Sequence, residues 1–156
     1  MQTDRIVHTL EEKYKLFRCF LEISERMCTE SVDLLKDDMD SRLHLQSEIE
    51  KADAQLRELY KNAPGAEEAA KNRCDYSSLS PENKRIYDAA MKVHGILYQI
   101  QQMGPLLKKH MLEERSSLLK KLEDTQKSTA SAANRYYQAA HFESPVLKRH
   151  FGFKKA

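Results

Sequence analysis

Residues 6–28 read IVHTLEEKYKLFRCFLEISERMC, and this stretch decides the fold. Apolar or small side chains recur in it at alternating steps of three and four residues, at Val7, Leu10, Tyr14, Phe17, Leu21, Ser24 and Cys28. Ile6, Phe20 and Met27 widen this stripe on one flank. On an α-helix with about 3.6 residues per turn, this spacing places all of them on one face. Such a face is stable in water only when it packs against other helices, so the stretch predicts a long amphipathic helix of a bundle.

The helical pattern continues to about residue 63 with one weak point at residues 28–31, Cys-Thr-Glu-Ser. Beyond that point the apolar stripe resumes with Val32, Leu35 and Met39, and then with Leu45, Ile49, Ala52, Leu56 and Leu59. The change of phase leaves two possibilities open, namely two helices or one long helix whose buried face rotates. Asn62-Ala-Pro-Gly65 ends this segment, because proline cannot continue a helix and glycine readily takes a positive φ.

A second long helical segment begins at Ser80-Pro81-Glu82. The residues before it, 66–79, are interpreted as a linker in which one short helical turn at residues 67–72 is left open. The Ser80 oxygen can accept from free amides, Pro81 suits the first helical position, and Glu82 opposes the positive end of the helix dipole. The apolar stripe then runs through Ile86, Ala90, Val93, Leu97, Ile100, Leu107, Met111, Leu118 and Leu122. Gly104-Pro105 interrupts it, and a kink or a break is expected there.

Composition supports the same fold class. The 156 residues include only 4 Gly and 4 Pro, too few for the turns of a β-sandwich or a doubly wound α/β fold, and 32% of residues are charged. We therefore predict an all-α protein, an elongated antiparallel bundle of three to four long amphipathic helices over residues 1–140. Residues 141–156 form a basic-aromatic C-terminal tail in this interpretation.

Charge, hydropathy and cysteine usage narrow the functional classes. The formal net charge of +2 argues against a dedicated nucleic-acid binder, and no apolar run approaches a membrane span of about 20 residues. The three cysteines, Cys19, Cys28 and Cys74, lack CxxC spacing and fit reduced thiols in a cytoplasmic protein.

The sequence offers weak support for catalytic or metal chemistry. The acidic run Asp37-Asp38-Met39-Asp40 lacks the spacing of a calcium loop and is interpreted as a solvated helix face. His110 and Glu113 lie one helical turn apart, but the stripe contains no further carboxylates to complete a bundle metal site. Phosphate-loop and nucleophile-elbow motifs are absent. We expect no enzyme activity, no metal and no cofactor.

Aromatic residues near the C-terminus favour protein recognition. Tyr136-Tyr137 follow an Ala-, Ser- and Thr-rich stretch with few large apolar neighbours, so an exposed recognition pair and ordinary bundle packing are both open. The tail carries Phe142, Val146, Leu147, Phe151 and Phe153 among four Lys and Arg residues. It either binds a partner protein or packs back on the bundle, and the four basic residues alone are too few for stable membrane insertion.

The layout as a whole resembles the FlgN-type flagellar export chaperones of type III secretion. The resemblance begins with Leu21-Glu-Ile-Ser-Glu-Arg-Met27 followed by Ser31-Val-Asp-Leu-Leu-Lys-Asp37, and continues in the second helical stretch at residues 43–59. Residues 106–122, with Glu113-Glu-Arg-Ser-Ser-Leu-Leu119, are similar to the long third helix of that family. Ala133-Asn-Arg-Tyr-Tyr137 and the Phe-containing basic tail are similar to its C-terminal ending.

This resemblance implies a binding function. Chaperones of that kind hold the apolar terminal helix of hook–filament junction substrates in a groove and deliver the substrate to the export gate. The implied groove residues are Leu107, Met111, Leu118 and Leu122, and the implied export-gate or partner contacts are Tyr136, Tyr137 and Phe142. The alternative is a self-associating structural or scaffolding bundle, and a homodimer is possible under either interpretation.

Overall fold

The computed structural model describes the backbone of residues 2–141 and the side chains of residues 2–137. Within these residues it contains three long helices, α1 (Gln2–Met27), α2 (Val32–Tyr60) and α4 (Pro81–His141). A short helix α3 (Ala66–Ala70) and a 3₁₀ turn (Tyr76–Ser78) connect α2 to α4. No strand occurs in the part described, and the predicted all-α fold is confirmed. Phe142 and the rest of the predicted tail lie outside the described residues.

The helices α1 and α2 form an antiparallel hairpin. Three contacts fix the direction: Gln2 Nε2 donates to the Leu59 carbonyl at 2.8 Å, Lys13 pairs with Asp53, and Arg26 pairs with Asp38 at 2.9 Å. As the residue number on α1 increases, the residue number of its contact on α2 decreases, so the two helices run in opposite directions. The question left open at residues 28–31 is thereby settled, because a short turn there separates two helices.

The first half of α4 runs parallel to α1 and therefore antiparallel to α2. Arg85 near its start pairs with Asp4 at 2.9 Å, and His110 lies against the Glu30 carbonyl at 2.6 Å. These contacts lie within a compact unit, Met1–Leu112. In this unit the three helices alternate in direction and form the core of the antiparallel bundle.

Two groups of buried side chains occupy opposite ends of this unit. At one end Ile6, Leu10 and Ile86 pack with the apolar end of α2 and with the alanines of α3. Ile6 and Ile86 have no measurable exposure. At the other end, Met27, Leu35 and Leu107 form a smaller group, with Ile23, Cys28 and Met111 packed against it. The amphipathic stripes predicted for α1 and α2 thus supply the core.

The segment boundaries follow the chemistry expected at them. The Ser80 hydroxyl accepts from the Asn83 amide at 3.2 Å, and α4 begins at Pro81. Gly65 has φ of +78° where the chain turns from α2 into α3. A side chain at this position would be strained and would also meet the Asn83 amide at 2.9 Å. The predicted stops and starts at these residues are confirmed.

The helix α4 runs through Pro105, so the expected break is absent. A proline inside a helix costs about 3 kcal/mol, since it lacks an amide donor and its ring crowds the carbonyl four residues earlier. Buried residues on both sides, Ile96 and Leu107, hold the helix in place and offset this cost. The chain from Glu113 onward belongs to a second compact unit.

Replacing Pro105 with alanine is expected to raise the free energy of unfolding by about 2 kcal/mol. The replacement restores an amide donor and removes the clash with the carbonyl of Gln101, at the cost of a more flexible unfolded chain. Urea unfolding followed by circular dichroism measures this. Pro81→Ala is the matched control, because the first helical position has no amide partner to restore, and its effect should stay within about 0.5 kcal/mol. Equal effects of the two substitutions would contradict the interpretation.

Candidate partner-binding surface

The described part of the second unit exposes nearly all of its side chains. Between residues 113 and 137 only Glu114 and Tyr137 are half-buried, and every other side chain is exposed. The exposed set includes large apolar groups at Leu118 (40%), Leu119 (50%), Leu122 (52%) and Tyr136 (79%). Leucine at half exposure leaves apolar area in contact with water, and a cluster of such residues on one surface is typical of an interaction site.

Most of these groups share one face of α4. Successive residues of a helix are about 100° apart, so steps of four and three keep side chains on one stripe. The residues at these steps are Leu118, Leu122, Thr125, Thr129, Ala132 and Tyr136, which we call the α4 stripe. Leu119 lies beside it. Large apolar groups mark the two ends of the stripe, and small side chains lie between them.

The other two predicted groove residues lie in the first unit. Leu107 is 5% exposed and packs with Met27 and Leu35, and Met111 is half-buried against the same group. Leu107 therefore contributes to the core of its own unit, whereas Leu118 and Leu122 are open to solvent. The structure assigns these members of the predicted groove to two different environments.

The predicted partner contacts are only partly described. The Tyr136 ring is exposed and is available for recognition, and Tyr137 is half-buried. Phe142 lies outside the described residues. Because the aromatic body of Tyr136 is in water, burying it against a partner would be favourable, and its hydroxyl could find a hydrogen-bond partner at the edge of such an interface.

Charged side chains follow α4 in bands of alternating sign. Glu113 and Glu114 form an acidic pair, Lys120 and Lys121 a basic pair, and Glu123 and Asp124 a second acidic pair. Apart from Glu114 all of these side chains are exposed. Bands of this kind select the register and direction of a partner helix more than they add affinity.

A cavity of about 250 Å³ in the first unit lies among α1, α2, α3 and α4. Its charged groups are largely paired, since Lys13 pairs with Asp53 and Lys71 with Glu67. Tyr60 also lines it, and burial raises the pKa of this phenol to about 12. This phenol stays protonated at neutral pH, and the carboxylates beside it, Asp53 and Glu67, are paired with Lys13 and Lys71.

The residues predicted as weak metal ligands have structural contacts. His110 lies 2.6 Å from the Glu30 carbonyl, so its Nε2 donates to a backbone acceptor. Across the residues that the structure describes, no three His, Cys, Asp or Glu side chains are placed to hold a metal ion.

The interpretation of the acidic run as a solvated helix face holds at Asp37 and Asp40, which are exposed, and is wrong at Asp38. Asp38 is not on a solvated face, because its side chain is only 13% exposed and is paired with Arg26. Sequence reasoning missed this contact. The spacing along α2 could have indicated it. Asp38 is three residues after the buried Leu35 and four residues before Arg42, so it lies on the same face of the helix as Leu35.

Two alanine substitutions separate core leucines from surface leucines. Leu107→Ala is expected to lower the free energy of unfolding by about 2–5 kcal/mol, since it opens a cavity in the group with Met27 and Leu35. Leu122→Ala should change it by no more than about 0.5 kcal/mol, because that side chain is half exposed. Urea unfolding of the two variants measures both values. A loss above about 2 kcal/mol for Leu122→Ala would show that the α4 stripe is buried by the chain itself.

Comparison with protein-family models, with curated proteins and with solved structures found no match to this chain. A separate search of the described helices found none long and apolar enough to cross a membrane.

Proposed function

We propose that this chain is a binding protein that accepts an amphipathic helix of a client protein on the α4 stripe. In its specific form, the proposal is a cytoplasmic FlgN-type flagellar export chaperone. The client would be a hook–filament junction substrate, bound through its terminal helix and then delivered to the export gate.

The exposure of Leu118, Leu119 and Leu122 is the observation that carries this proposal. Fully burying a leucine contributes about 1.5–3 kcal/mol, so covering the exposed halves of three leucines is worth on the order of 2–4 kcal/mol. The small residues Thr125, Thr129 and Ala132 leave room for large side chains of a second helix. A client helix with apolar residues at steps of three and four fits such a surface.

The specific form rests on the resemblance described above. That resemblance covers most of the chain through its helical layout and its Tyr-Tyr ending. The 79% exposure of Tyr136 is consistent with a contact to a second partner such as the export gate, because an exposed tyrosine combines apolar area with a polar tip.

The charge bands of α4 favour a second candidate, a scaffold that associates with itself. Two antiparallel copies of the helix can place the acidic pair Glu113 and Glu114 against the basic pair Lys120 and Lys121. Surface ion pairs contribute only about 0–1 kcal/mol each, so this arrangement would set register while the leucines supply the affinity.

A photo-crosslinking amino acid in place of Leu118 tests the proposal in the native cell. We expect cross-links to the terminal helix of a hook–filament junction protein, identified by mass spectrometry of the linked peptide. The same amino acid in place of Lys120, on the opposite face of α4, is the control and should not give this product. Cross-links from position 118 only to a second copy of this chain would support the scaffold instead. Cross-links to neither would reject both candidates.

The paired substitution Leu118→Glu with Leu122→Glu is expected to weaken binding of the purified client at least about 100-fold. Each lost leucine contact accounts for roughly a factor of ten, which corresponds to about 1.4 kcal/mol. Isothermal titration calorimetry measures the affinity, and circular dichroism checks that helix content is unchanged. Unchanged affinity would show that the client binds elsewhere.

Tyr136→Ala should weaken binding to the export-gate protein while leaving client affinity unchanged, because the client is assigned to the leucines of the stripe. Surface plasmon resonance with the gate domain measures the first effect. Tyr98→Ala is the matched control, since Tyr98 is also an exposed tyrosine of α4, at 62%, and lies in the first unit. Equal losses of affinity for the export-gate protein in the two variants would show that Tyr136 is not a specific contact with it.

A further inference from the structure

The turn at residues 28–31 brings together polar side chains from all three long helices. Arg26 is at the end of α1, Glu30 is in the turn, Asp38 is on α2, and His110 is on α4. We call these four residues the turn cluster. Arg26 Nη2 donates to Asp38 Oδ1 at 2.9 Å, Arg26 Nε lies 3.5 Å from Glu30 Oε1, and His110 Nε2 lies 2.6 Å from the Glu30 carbonyl oxygen.

Two oxygen atoms in the turn cluster are buried and receive no hydrogen bond. They are Glu30 Oε2 and Asp38 Oδ2. The two side chains are only 12% and 13% exposed, so water does not replace the missing donors freely. If both groups were ionised, two buried negative charges would face one guanidinium, which itself is 60% exposed. Such an arrangement is unfavourable, because a buried charge needs a partner of its own.

One proton satisfies both oxygens. Both carboxyl groups contact the same guanidinium, Glu30 at Arg26 Nε and Asp38 at Arg26 Nη2, so the two lie beside each other. A protonated Glu30 becomes a donor, and the ionised Asp38 accepts from it while also accepting from Arg26. The cluster then contains one positive and one negative charge, and no buried oxygen is left without a partner.

We propose that Glu30 keeps a proton in the folded chain and donates it to Asp38, and that loss of this proton releases the turn from α4. The turn cluster is therefore a pH-sensitive latch between the α1–α2 turn and α4. The latch belongs to the first unit alone and does not depend on the proposed function.

The direction of the pKa shifts agrees with this placement of the proton. The hydrogen bond to Asp38, together with burial and the Asp38 charge, raises the pKa of Glu30 above its ordinary value. The hydrogen bonds from Arg26 and from Glu30 lower the pKa of Asp38. The contact with Asp38 also raises the pKa of Arg26, which keeps its charge throughout.

The sign of the pH dependence follows from these directions. The contribution of Glu30 to stability is complete below its ordinary pKa of 4.5 and is lost as the pH rises through the raised pKa. The contribution of Asp38 is complete above 3.8 and is lost as the pH falls through the lowered pKa. The latch is tightest in mildly acidic solution and weakens toward neutral pH.

Two further ionisable neighbours of the turn, Cys28 and Arg42, keep their charge state across this range. Burial raises the pKa of the Cys28 thiol above 9.0, so the thiol stays protonated. Arg42 on α2 lies over the Phe20 ring at 4.5 Å, and although burial lowers its pKa, a guanidinium remains charged. From α4, the group that reaches the turn is His110, and it does so through the Glu30 backbone.

Releasing the turn would uncover apolar surface on α4. Leu107 and Met111 flank His110 on the helix and pack against Met27, Cys28 and Leu35, which border the turn. The backbone of Glu30 holds His110 while its side chain holds Asp38, so one residue couples the proton to the packing of α4. Opening would expose Leu107 and Met111, two of the residues predicted to line a groove.

Glu30→Gln tests the latch in the full chain. The glutamine amide has the same shape, donates to Asp38 at every pH and carries no charge. The urea midpoint of the wild type is expected to fall relative to that of the variant as the pH rises from 4.5 to 7.5. Hydrogen exchange at residues 105–111, corrected for intrinsic rates, should then be several-fold faster in the wild type than in the variant at pH 7.5.

Glu22→Gln is the matched control, because Glu22 is 61% exposed on α1 and its pair with Arg18 stays within that helix. Its midpoints should parallel the wild type. The latch is rejected if Glu30→Gln is less stable than the wild type at pH 7.5, or if the two pH profiles run parallel. A carbon NMR titration of the wild type gives an independent reading, since a Glu30 pKa at or below 4.5 would also overturn the proposal.

Discussion

Burial of the apolar face of α1 is the interaction on which the first unit depends. Ile6 and Leu10 at one end and Met27 at the other are almost fully buried, and they contact both α2 and α4 or the segments joining them. A stripe wide enough to need two partners cannot be covered by α2 alone. The chain therefore returns along α1 a second time, and the direction of α4 follows from that requirement.

The local rules of helix formation accounted for most segment ends. Ser80 and Pro81 start α4 and Gly65 turns the chain, as their chemistry predicts. At Pro105, where a kink or a break was expected, the helix continues without a break, because Leu107 is held in the core two residues later. A local penalty of about 3 kcal/mol is decisive in an isolated helix and is offset in a packed one. The compensation comes from contacts with other helices, and the pattern of residues along the chain does not reveal those contacts.

The exposure of the candidate surface also could not be predicted from the sequence pattern. Leu107, Met111, Leu118 and Leu122 are equivalent by spacing, and periodicity correctly placed them on a helix. Their exposure differs because Met27 and Leu35 cover Leu107, while the described second unit provides no such cover for Leu122. Asp38 shows the opposite case, because its place in an acidic run predicts a solvated side chain, whereas packing beside Arg26 leaves it only 13% exposed. Spacing predicts which residues share a face, and only the packing of other elements decides whether that face is free.

The composition of the α4 stripe also bears on the kind of partner it can hold. Covering its leucines yields on the order of 2–4 kcal/mol, whereas association costs an estimated 4 kcal/mol or more in lost freedom of motion. A short helix that touched only Leu118 and Leu122 would therefore bind weakly. Under the proposed function, a client would have to extend along the small residues to Tyr136, or contact further surface, to remain bound. Two copies of α4 would each contribute their leucines and tyrosine, but they would meet the same small residues between them. The stripe is thus better suited to a longer client helix with large side chains opposite Thr125, Thr129 and Ala132 than to a second copy of itself.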